Sequence, residues 1–349
     1  MKIYCIIFDA LDHSGELEKL FKKKDMHYAR LITNSYTSST LSSMLTGLTS
    51  VDNHMQKYGW DYNYKDYPEN HKKEKMAQLI YNQLPDDWKV YTIFDEHNWE
   101  YMDTQIGKID RNKWISLTAQ GKEQILERLN DVQKISSKEN SFIYFHLHEM
   151  HGYYANNNQS EKEKLEIIEH FFEYINNINF EEEDTLFWLS SDHGNYLNVN
   201  EYMNPPESFL QWVSVTDNIT NKKVKKDLIH MQDFYNTAYN RIYNTSIKNN
   251  NQDVLSNINL NRVYLCDDGR NNVPSIEFKA HTTISAIKRI SKTDIIQVVY
   301  HYPKKEFKHC LFNIIANEIN SGKLDDTYIG IVEELKVYLQ INCKEYFND

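Results

Sequence analysis

The sequence predicts an α/β fold with a doubly wound, mostly parallel sheet, helices on both faces and a small C-terminal antiparallel subdomain. Two observations lead to this prediction. Apolar runs alternate with helical patterns over the first 240 or so of the 349 residues, and each run ends in polar residues, as buried parallel strands do. Beyond about residue 250 short strand patterns take over. We therefore expect an α/β domain over residues 1–247 and a small α+β subdomain over residues 252–349, joined by a polar linker at 248–252.

The individual elements follow from hydrophobic periodicity. Apolar runs predict strands at residues 2–8, 29–33, 88–94, 141–148 and 185–191. Helical spacing predicts helices at residues 15–24, 41–48, 74–84, 121–135 and 162–178, and a solvated helix start at the lysine cluster 222–226. In the C-terminal part we expect strands at 263–265, 275–278 and 295–300, and helices at 312–319 and 329–339.

Composition narrows the classes of function. A hydrophobic content of 40% supports a packed core, and a net charge of −11 argues against nucleic-acid or anionic-membrane partners. The four cysteines are scattered without a CxxC pair, as in reduced proteins. The apolar run at residues 3–8 is too short for a signal peptide or a membrane span. We expect a cytoplasmic protein without a transmembrane segment, and the oligomeric state stays open.

Metal-binding side chains follow several of the predicted strands. Asp9, His97, Glu149 with His151, and the pair Asp192-His193 all come after apolar runs. Because the carboxyl ends of parallel strands meet at one edge of the sheet, these side chains are expected to gather there. Each alone also fits an ordinary turn residue. Together, carboxylates and imidazoles are typical of a Zn²⁺ or Mn²⁺ phosphoesterase site.

A hydroxyl-rich segment at residues 34–48 leads into a short helix with apolar residues at helical spacing. Thr37 lies at the start of this helix, where backbone N–H groups without intrahelical partners favour an anion. A hydroxyl held there can attack phosphorus or sulfur if a metal lowers its pKa. The alternative is a Ser/Thr-rich N-cap on a helix of the core.

The order of these segments resembles the alkaline phosphatase/sulfatase superfamily, and most of all its sulfatase-like branch with the phosphoethanolamine and phosphoglycerol transferases. In sulfatases the nucleophile lies nine residues before the threonine of a Leu-Thr-Gly segment. Leu45-Thr46-Gly47 here places Thr37 at that position. Ser191-Asp192-His193-Gly194 is similar to the Ser-Asp-His-Gly of the family, and residues 145–154 resemble its strand ending in His-Gly-Pro-Tyr.

The resemblance implies roles for particular residues. Asp9, Thr37, Asp192 and His193 would bind the metal, which is Zn²⁺ or Mn²⁺, with Mg²⁺ or Ca²⁺ as further candidates. The residues that would bind the ester or protonate its leaving oxygen are Ser38, His97, His151 and, from the C-terminal subdomain, His281. For His281 an ordinary surface histidine is the alternative.

The activity implied is that of a metal-dependent hydrolase or transferase with a phospho-threonine intermediate. Its substrate would be a phosphate mono- or diester, either a small molecule or one linked to a glycan or a lipid. Four departures leave two alternatives open. Thr37 replaces the cysteine that sulfatases oxidise to formylglycine, and Thr40-Leu41 replaces the Ser-Arg that follows it. The usual Asp-Asp pair is Asp9-Ala10, and no histidine closely follows His193 to form a second zinc site. The alternatives are a sulfatase and a catalytically inactive binding protein.

Overall fold

A computed structural model describes most of the chain in separate stretches. These are residues 1–11, 15–34, 37–49, 52, 79–94, 114–118, 121–136, 139–148, 161–194, 209–225, 227–245, 251–256, 259, 261–267, 283–301, 304–314, 318–320, 326–344 and 347.

The first two thirds of the chain alternate between strands and helices. The elements are β1 (Lys2–Phe8), α1 (Glu16–Lys23), β2 (Ala29–Ile32), α2 (Thr37–Thr46), a 3-10 helix (Ile80–Gln83), β3 (Lys89–Phe94), β4 (Trp114–Thr118), α3 (Gly121–Ser136), β5 (Ser141–Leu147), α4 (Glu161–Asn177), β6 (Thr185–Ser191), β7 (Leu210–Asp217), β8 (Lys222–Lys223), β9 (Leu228–His230) and α5 (Asp233–Tyr243). The C-terminal part contains β10 (Val263–Asp267), β11 (Thr283–Arg289), β12 (Asp294–His301), β13 (Glu306–Asn313), β14 (Glu318–Asn320), a 3-10 helix (Asp326–Tyr328) and α6 (Ile329–Asn342).

The described strands of the large sheet lie in the order β4-β3-β5-β1-β6-β7-β2-β9, and β8 pairs with β7. The five strands from β4 to β6 are parallel to one another. Strand β7 runs antiparallel to β6, β2 and β8, and β9 runs parallel to β2. The predicted doubly wound, mostly parallel sheet is therefore confirmed.

Helices cover both faces of the large sheet. Strand β1 sends alternate side chains to opposite sides, so its residues enter the cores on both faces. Ile3, Cys5 and Ile7 are buried in one core, to which α2 and α5 contribute. The side chains between them enter a second core, which contains residues of α1, α3 and α4. Both faces of β1 are thus buried, which explains its nearly unbroken apolar sequence.

The second sheet is antiparallel throughout, in the order β10-β11-β12-β13-β14. One of its faces forms a core with Leu335 and Leu339 of α6. The other face contacts the large sheet through apolar residues such as Tyr264 and Leu228. The predicted small C-terminal antiparallel subdomain is confirmed, and its boundary at residues 248–252 stays a prediction.

Two predicted helices are wrong. Residues 306–313 form strand β13 and residues 318–320 form β14, where a helix was expected at 312–319. Cys310 and Phe312 are buried on one face of β13, so its apolar residues follow the two-residue period of a strand. The expected helix start at 222–226 is the edge strand β8, whose exposed lysines discourage further strand pairing.

Two further predicted elements lie wholly or partly outside the described residues. The strand at 275–278 is one of them. Of the helix at 74–84, only residues 79–84 are described, and they contain the 3-10 helix Ile80–Gln83. Among the described helices, none combines the length and the apolar character that a membrane crossing requires.

Candidate metal centre

Three adjacent parallel strands, β5, β1 and β6, bring polar side chains to one edge of the sheet. Ile7 of β1 pairs with His146 of β5 on one side and with Ser190 of β6 on the other. Since side chains two residues apart share a face, Asp9, His148 and Asp192 follow on the face that α2 covers. The two-residue alternation of side chains along a strand therefore brings the carboxylates after β1 and β6 and the imidazoles of β5 to one place.

Asp9 lies at the middle of this cluster and is completely buried. Its Oδ2 atom is 3.4 Å from His146 Nε2 and 3.2 Å from His148 Nε2. Its Oδ1 atom is 3.4 Å from His193 Nε2. One carboxylate thus faces three imidazoles, two from the end of β5 and one from the loop after β6.

Thr37 is the first residue of α2 and only 4% exposed. Its Oγ1 atom is 3.1 Å from His193 Nε2 and 3.5 Å from both carboxylate oxygens of Asp9. The first N–H groups of a helix have no intrahelical partner, so the hydroxyl lies beside donors suited to an anion.

Helix α2 holds this hydroxyl in place through both its apolar side and its C-terminus. Leu41, Met44 and Leu45 are buried in the core beneath the sheet. The helix ends where Gly47 adopts a φ of 69°, and the Gly47 N–H donates to the carbonyl of Ser43 at 2.9 Å. A glycine in the left-handed conformation is a common way to end a helix.

The loop after β6 orients Asp192. Its Oδ1 atom accepts hydrogen bonds from the N–H groups of Ala10, at 3.1 Å, and His193, at 2.8 Å. Its Oδ2 atom is 3.8 Å from His193 Nε2 and 4.0 Å from His146 Nε2. This second oxygen is buried and has no hydrogen-bond partner among the described residues. A buried carboxylate oxygen in that state is suited to a cation.

His193 presents Nε2 to the centre. Its Nδ1 atom lies 2.8 Å from the carbonyl oxygen of Gly194, and because a carbonyl only accepts, Nδ1 is the donor. In the neutral ring Nε2 then carries a lone pair that points toward Asp9 and Thr37. A lone pair beside a carboxylate favours a cation between them, and a hydrogen bond to the other nitrogen is what metal-binding histidines usually have.

Burial and neighbouring groups shift the pKa values of the ionisable side chains in this cluster. Burial raises the pKa of Asp9, but hydrogen bonds with His146 and His193 and the charge of His148 outweigh it and hold that pKa well below its usual range. The pKa of Asp192 is raised by burial and by the neighbouring charge of Asp9. Burial lowers the pKa of His193, whereas Asp192 and Asp9 raise it, and the net direction is upward. A bound cation would relieve the repulsion between the two buried carboxylates.

The donors fit a divalent metal. Ligand atoms of Asp9, His146 and Asp192 all lie within 4.8 Å of one another. A set of carboxylate oxygens, imidazole nitrogens and one hydroxyl suits Zn²⁺ or Mn²⁺.

The structure brings together the predicted metal ligands Asp9, Thr37, Asp192 and His193. The predicted substrate contact Ser38 belongs to α2, but its side chain is not among those described. His97, His151 and His281 lie outside the described residues, so their roles stay predictions.

Sequence reasoning missed His146 and His148 as members of the site. The signal was present, because two histidines separated by one residue at the end of a strand face the same side.

No family model and no curated protein matches the sequence of this chain. Solved structures do match its fold. A protein of the alkaline phosphatase superfamily from Vibrio parahaemolyticus matches at 11% identity, with 99% of this chain and 87% of that one covered and a TM-score of 0.63. The PsFucS1 sulfatase from Pseudoalteromonas sp. matches at 9% identity, with 100% and 91% covered and a TM-score of 0.56.

A third structure, Ps i-CgsB in complex with k-i-k-neocarrahexaose, matches at 11% identity, with 97% and 91% covered and a TM-score of 0.58. The chain therefore has the fold of the alkaline phosphatase superfamily, as its sequence motifs predicted. At such identities the likeness establishes the fold, and the chemistry has to be argued from the site.

Proposed function

We propose that this protein is a metal-dependent phosphoric ester hydrolase or phosphotransferase with Thr37 as its nucleophile. One observation supports the proposal most strongly. The Thr37 hydroxyl lies at the start of a helix, 3.1 Å from His193 Nε2 and 3.5 Å from both oxygens of Asp9. A hydroxyl among buried metal-type donors is in the setting that an activated nucleophile requires.

Asp9, Thr37, Asp192 and His193 would hold the cation, which we propose to be Zn²⁺ or Mn²⁺. When bound, it lowers the pKa of a coordinated hydroxyl and offsets negative charge on phosphoryl oxygens. The fit rests on the buried Asp192 Oδ2, which has no hydrogen-bond partner among the described residues. It rests also on His193, which turns Nε2 toward the same point.

The reaction would proceed in two displacements at phosphorus. In the first, the Thr37 hydroxyl loses its proton and a bond forms between Thr37 Oγ and phosphorus, while the bond to the ester oxygen breaks and the leaving oxygen takes a proton. In the second, water or an acceptor hydroxyl loses a proton as it attacks the phospho-threonine, the bond between phosphorus and Thr37 Oγ breaks, and the Thr37 oxygen takes a proton. N–H groups in the first turn of α2 would donate to the equatorial oxygens. We assign orientation of the ester and protonation of the leaving oxygen to His97 and His151.

We propose a phosphate mono- or diester as the substrate, carried by a small molecule, a glycan or a lipid, with Ser38 and His281 as further contacts. The fold match to a protein bound to neocarrahexaose supports a glycan-linked ester. We also propose a cytoplasmic location, supported by the four cysteines, which are scattered along the sequence without a CxxC pair.

A sulfatase is the second candidate, and the fold match to the PsFucS1 sulfatase favours it. The threonine at position 37 speaks against it, because threonine cannot become formylglycine. A non-catalytic binding protein is the third candidate, and trapping of the intermediate separates it from both enzymes.

The test is to trap the intermediate. Purified protein loaded with Zn²⁺ or Mn²⁺ is mixed with aryl phosphate mono- and diesters, quenched in acid and analysed by peptide mass. We expect phosphate on Thr37, and none in Thr37→Ala. Thr40→Ala is the matched control, because its hydroxyl lies on the same helix and contacts the carbonyl of Asn34 at 3.2 Å. Phosphate on another hydroxyl, or faster turnover of an aryl sulfate, would contradict the proposal.

A further inference from the structure

A polar cavity lies between the segment after α2, the start of α5, strand β10 and helix α6. We call it the α2–α6 cavity. Its described lining shares no residue with the candidate metal centre. Helix α2 has ten residues and is therefore about 15 Å long, with Thr37 at its start and Gly47, a wall residue of the cavity, just beyond its end. The cavity is thus a separate site at the other end of this helix.

The size and the apolar wall of the cavity limit what it can hold. Its volume is about 220 Å³, which equals roughly seven water molecules at about 30 Å³ each. Pockets for drug-sized ligands are larger, at about 300–1,000 Å³. The side chains of Leu48, Val263 and Leu265 form the apolar part of the lining. A molecule of the size of a free amino acid therefore fits.

Gln232 contributes a buried amide whose hydrogen-bonding capacity is mostly unused. The residue is only 5% exposed, and its Nε2 donates to the carbonyl of Gly47 at a long 3.4 Å. No described residue donates to its Oε1. Buried polar atoms normally have hydrogen-bond partners. An amide oxygen in this state, on the wall of a cavity, indicates a ligand that donates hydrogen bonds.

Arg262 and Tyr338 supply donors to the same cavity. Arg262 Nη1 donates to Asp233 Oδ1 at 2.5 Å, and Nη2 donates to Asn251 Oδ1 at 3.5 Å. A guanidinium has five N–H donors, so three remain after these contacts. The Tyr338 hydroxyl has no hydrogen-bond partner within the described part of the chain. Burial raises the pKa of Tyr338, so the hydroxyl keeps its proton and can donate.

Asp52 adds an exposed carboxylate to the cavity. Its Oδ2 accepts from Thr49 Oγ1 at 2.7 Å. Among the described residues no ion pair joins Asp52 to Arg262, although both line the cavity, and Arg262 is paired with Asp233 instead. One positive and two negative charges therefore surround the space. A simple anion would add to the negative excess, so the ligand has to carry a positive group as well.

We propose that the α2–α6 cavity binds a free α-amino acid. The carboxylate of the ligand binds Arg262 and Tyr338. Its ammonium group donates to Asp52 and to Oε1 of Gln232, and its side chain packs against the apolar part of the lining. Such a ligand uses both the unpartnered donors and the unpartnered acceptors, whereas an anion or an amine alone uses only one kind. The site does not depend on the proposed function, so its test measures binding and not turnover.

The first measurement is a thermal-melting screen of the full-length protein with each common L-amino acid and with glucose. We expect at least one amino acid to raise the melting temperature by about 2–5 °C near saturation, and glucose to leave it unchanged. Calorimetry then gives the Kd of the best amino acid and of its N-acetyl and amide derivatives. Each derivative lacks one of the two charges and should bind at least tenfold more weakly.

Variants locate the binding site. Tyr338→Phe and Asp52→Asn should each weaken binding about tenfold, because each removes one partner of the ligand and keeps the shape of the side chain. Tyr328→Phe and Asp326→Asn, at positions outside the cavity, are the matched controls and should bind as the wild type does. Asp192→Asn should also bind normally, which separates this site from chelation of the ligand by a metal ion at the other end of α2. Circular dichroism verifies that each variant is folded.

Three results would overturn the proposal. The first is a melting temperature that no amino acid changes. The second is undiminished binding in both Tyr338→Phe and Asp52→Asn. The third is equal affinity for the amino acid and its two derivatives, which needs no variant and would show that the cavity does not recognise the charged groups. Stabilisation by glucose alone, lost in the two cavity variants, would assign the cavity to a neutral sugar instead.

Discussion

His230 Nε2 lies 3.1 Å from the carbonyl oxygen of Leu265, and this hydrogen bond joins the large sheet to the small one. The other ring nitrogen, Nδ1, accepts from the N–H of Gln232 at 3.4 Å. The buried ring also stacks on Tyr264, with 5.6 Å between ring centroids. One nitrogen donates and the other accepts, so the ring is neutral and both of its nitrogens form hydrogen bonds.

Acid should weaken the protein through this histidine. Burial, aided by the charge of Arg262, lowers the pKa of His230 from 6.5 to about 3. Above pH 6.5 the His230 ring is neutral in the folded and in the unfolded chain. Between pH 6.5 and about 3, only the unfolded chain binds a proton on this ring. The free energy of unfolding should fall by about 1.4 kcal/mol per pH unit, or about 2 kcal/mol by pH 5.

Urea unfolding at pH 7, 6 and 5 measures this dependence. His230→Gln should flatten it, and His27→Gln, at an exposed position, should leave it unchanged. An equally steep loss in His230→Gln would assign the acid sensitivity to other groups.

Thr37→Ala should abolish turnover and leave the fold nearly intact. The residue starts a helix whose packing depends on Leu41, Met44 and Leu45, so we expect a loss of about 1 kcal/mol in unfolding free energy. Thr37→Ser should keep part of the activity, because the hydroxyl remains without the methyl group that restricts its rotamer. Ester turnover and urea unfolding of the same samples give both numbers. Unreduced turnover in Thr37→Ala would exclude the hydroxyl as nucleophile.

Removal of the carboxylates should remove metal. Asp192→Asn keeps an oxygen for the N–H groups of Ala10 and His193 but loses the negative charge, so metal occupancy should fall. The double variant Asp9→Ala/Asp192→Ala should bind none at this centre. Metal content after dialysis against buffered Zn²⁺ measures both effects, and full occupancy in the double variant would place the ion elsewhere.

Arg241 should contribute far more to the free energy of unfolding than an exposed arginine does. Its Nε donates to Asp217 at 2.6 Å and its Nη1 to Asp253 at 2.8 Å, with all three side chains at most 10% exposed. Arg241→Ala leaves two largely buried carboxylates without their positive partner, which should cost about 3–5 kcal/mol. Arg128, paired with Asp131 at 3.3 Å on the surface, is the control, and Arg128→Ala should cost less than about 1 kcal/mol. Similar losses in the two variants would refute the distinction.

Two glycine-to-alanine substitutions should change the free energy of unfolding in opposite directions. Gly47 has a φ of 69°, and an added Cβ would lie 2.9 Å from Tyr235 and 3.0 Å from Asn251. Gly47→Ala should therefore destabilise by about 2–4 kcal/mol. Gly330 in α6 has no atom within 4 Å of such a Cβ, so Gly330→Ala should stabilise by about 0.5–1 kcal/mol. Thermal and urea unfolding check both, and stabilisation by Gly47→Ala would contradict the close packing at the end of α2.

The strands that carry the site were readable from sequence. β1 and β6 were predicted with the observed bounds, because both faces of each strand are buried and the apolar run ends where the strand ends. Asp9 and Asp192 follow those ends directly, so their meeting at one edge could be inferred. The position of Thr37 in the site was inferred from its spacing of nine residues before Thr46 in the Leu-Thr-Gly segment.

The strands that sequence reasoning missed depend on partners distant in sequence. β7 contains the buried polar residues Gln211 and Ser214, which break its apolar pattern. β9 has only three residues and exists through pairing with β2. Such strands are stabilised by tertiary contacts that no local window contains.

Strand parity has a consequence for insertions and deletions. One residue added within β1 would turn the carboxylate at position 9 to the opposite face, away from the histidines of β5, although every site residue would still be present. Two added residues would restore the face but displace the carboxylate along the strand by about 7 Å. A relative that aligns with this chain across a one-residue gap in β1, β5 or β6 would thus keep the ligand types and lose the centre.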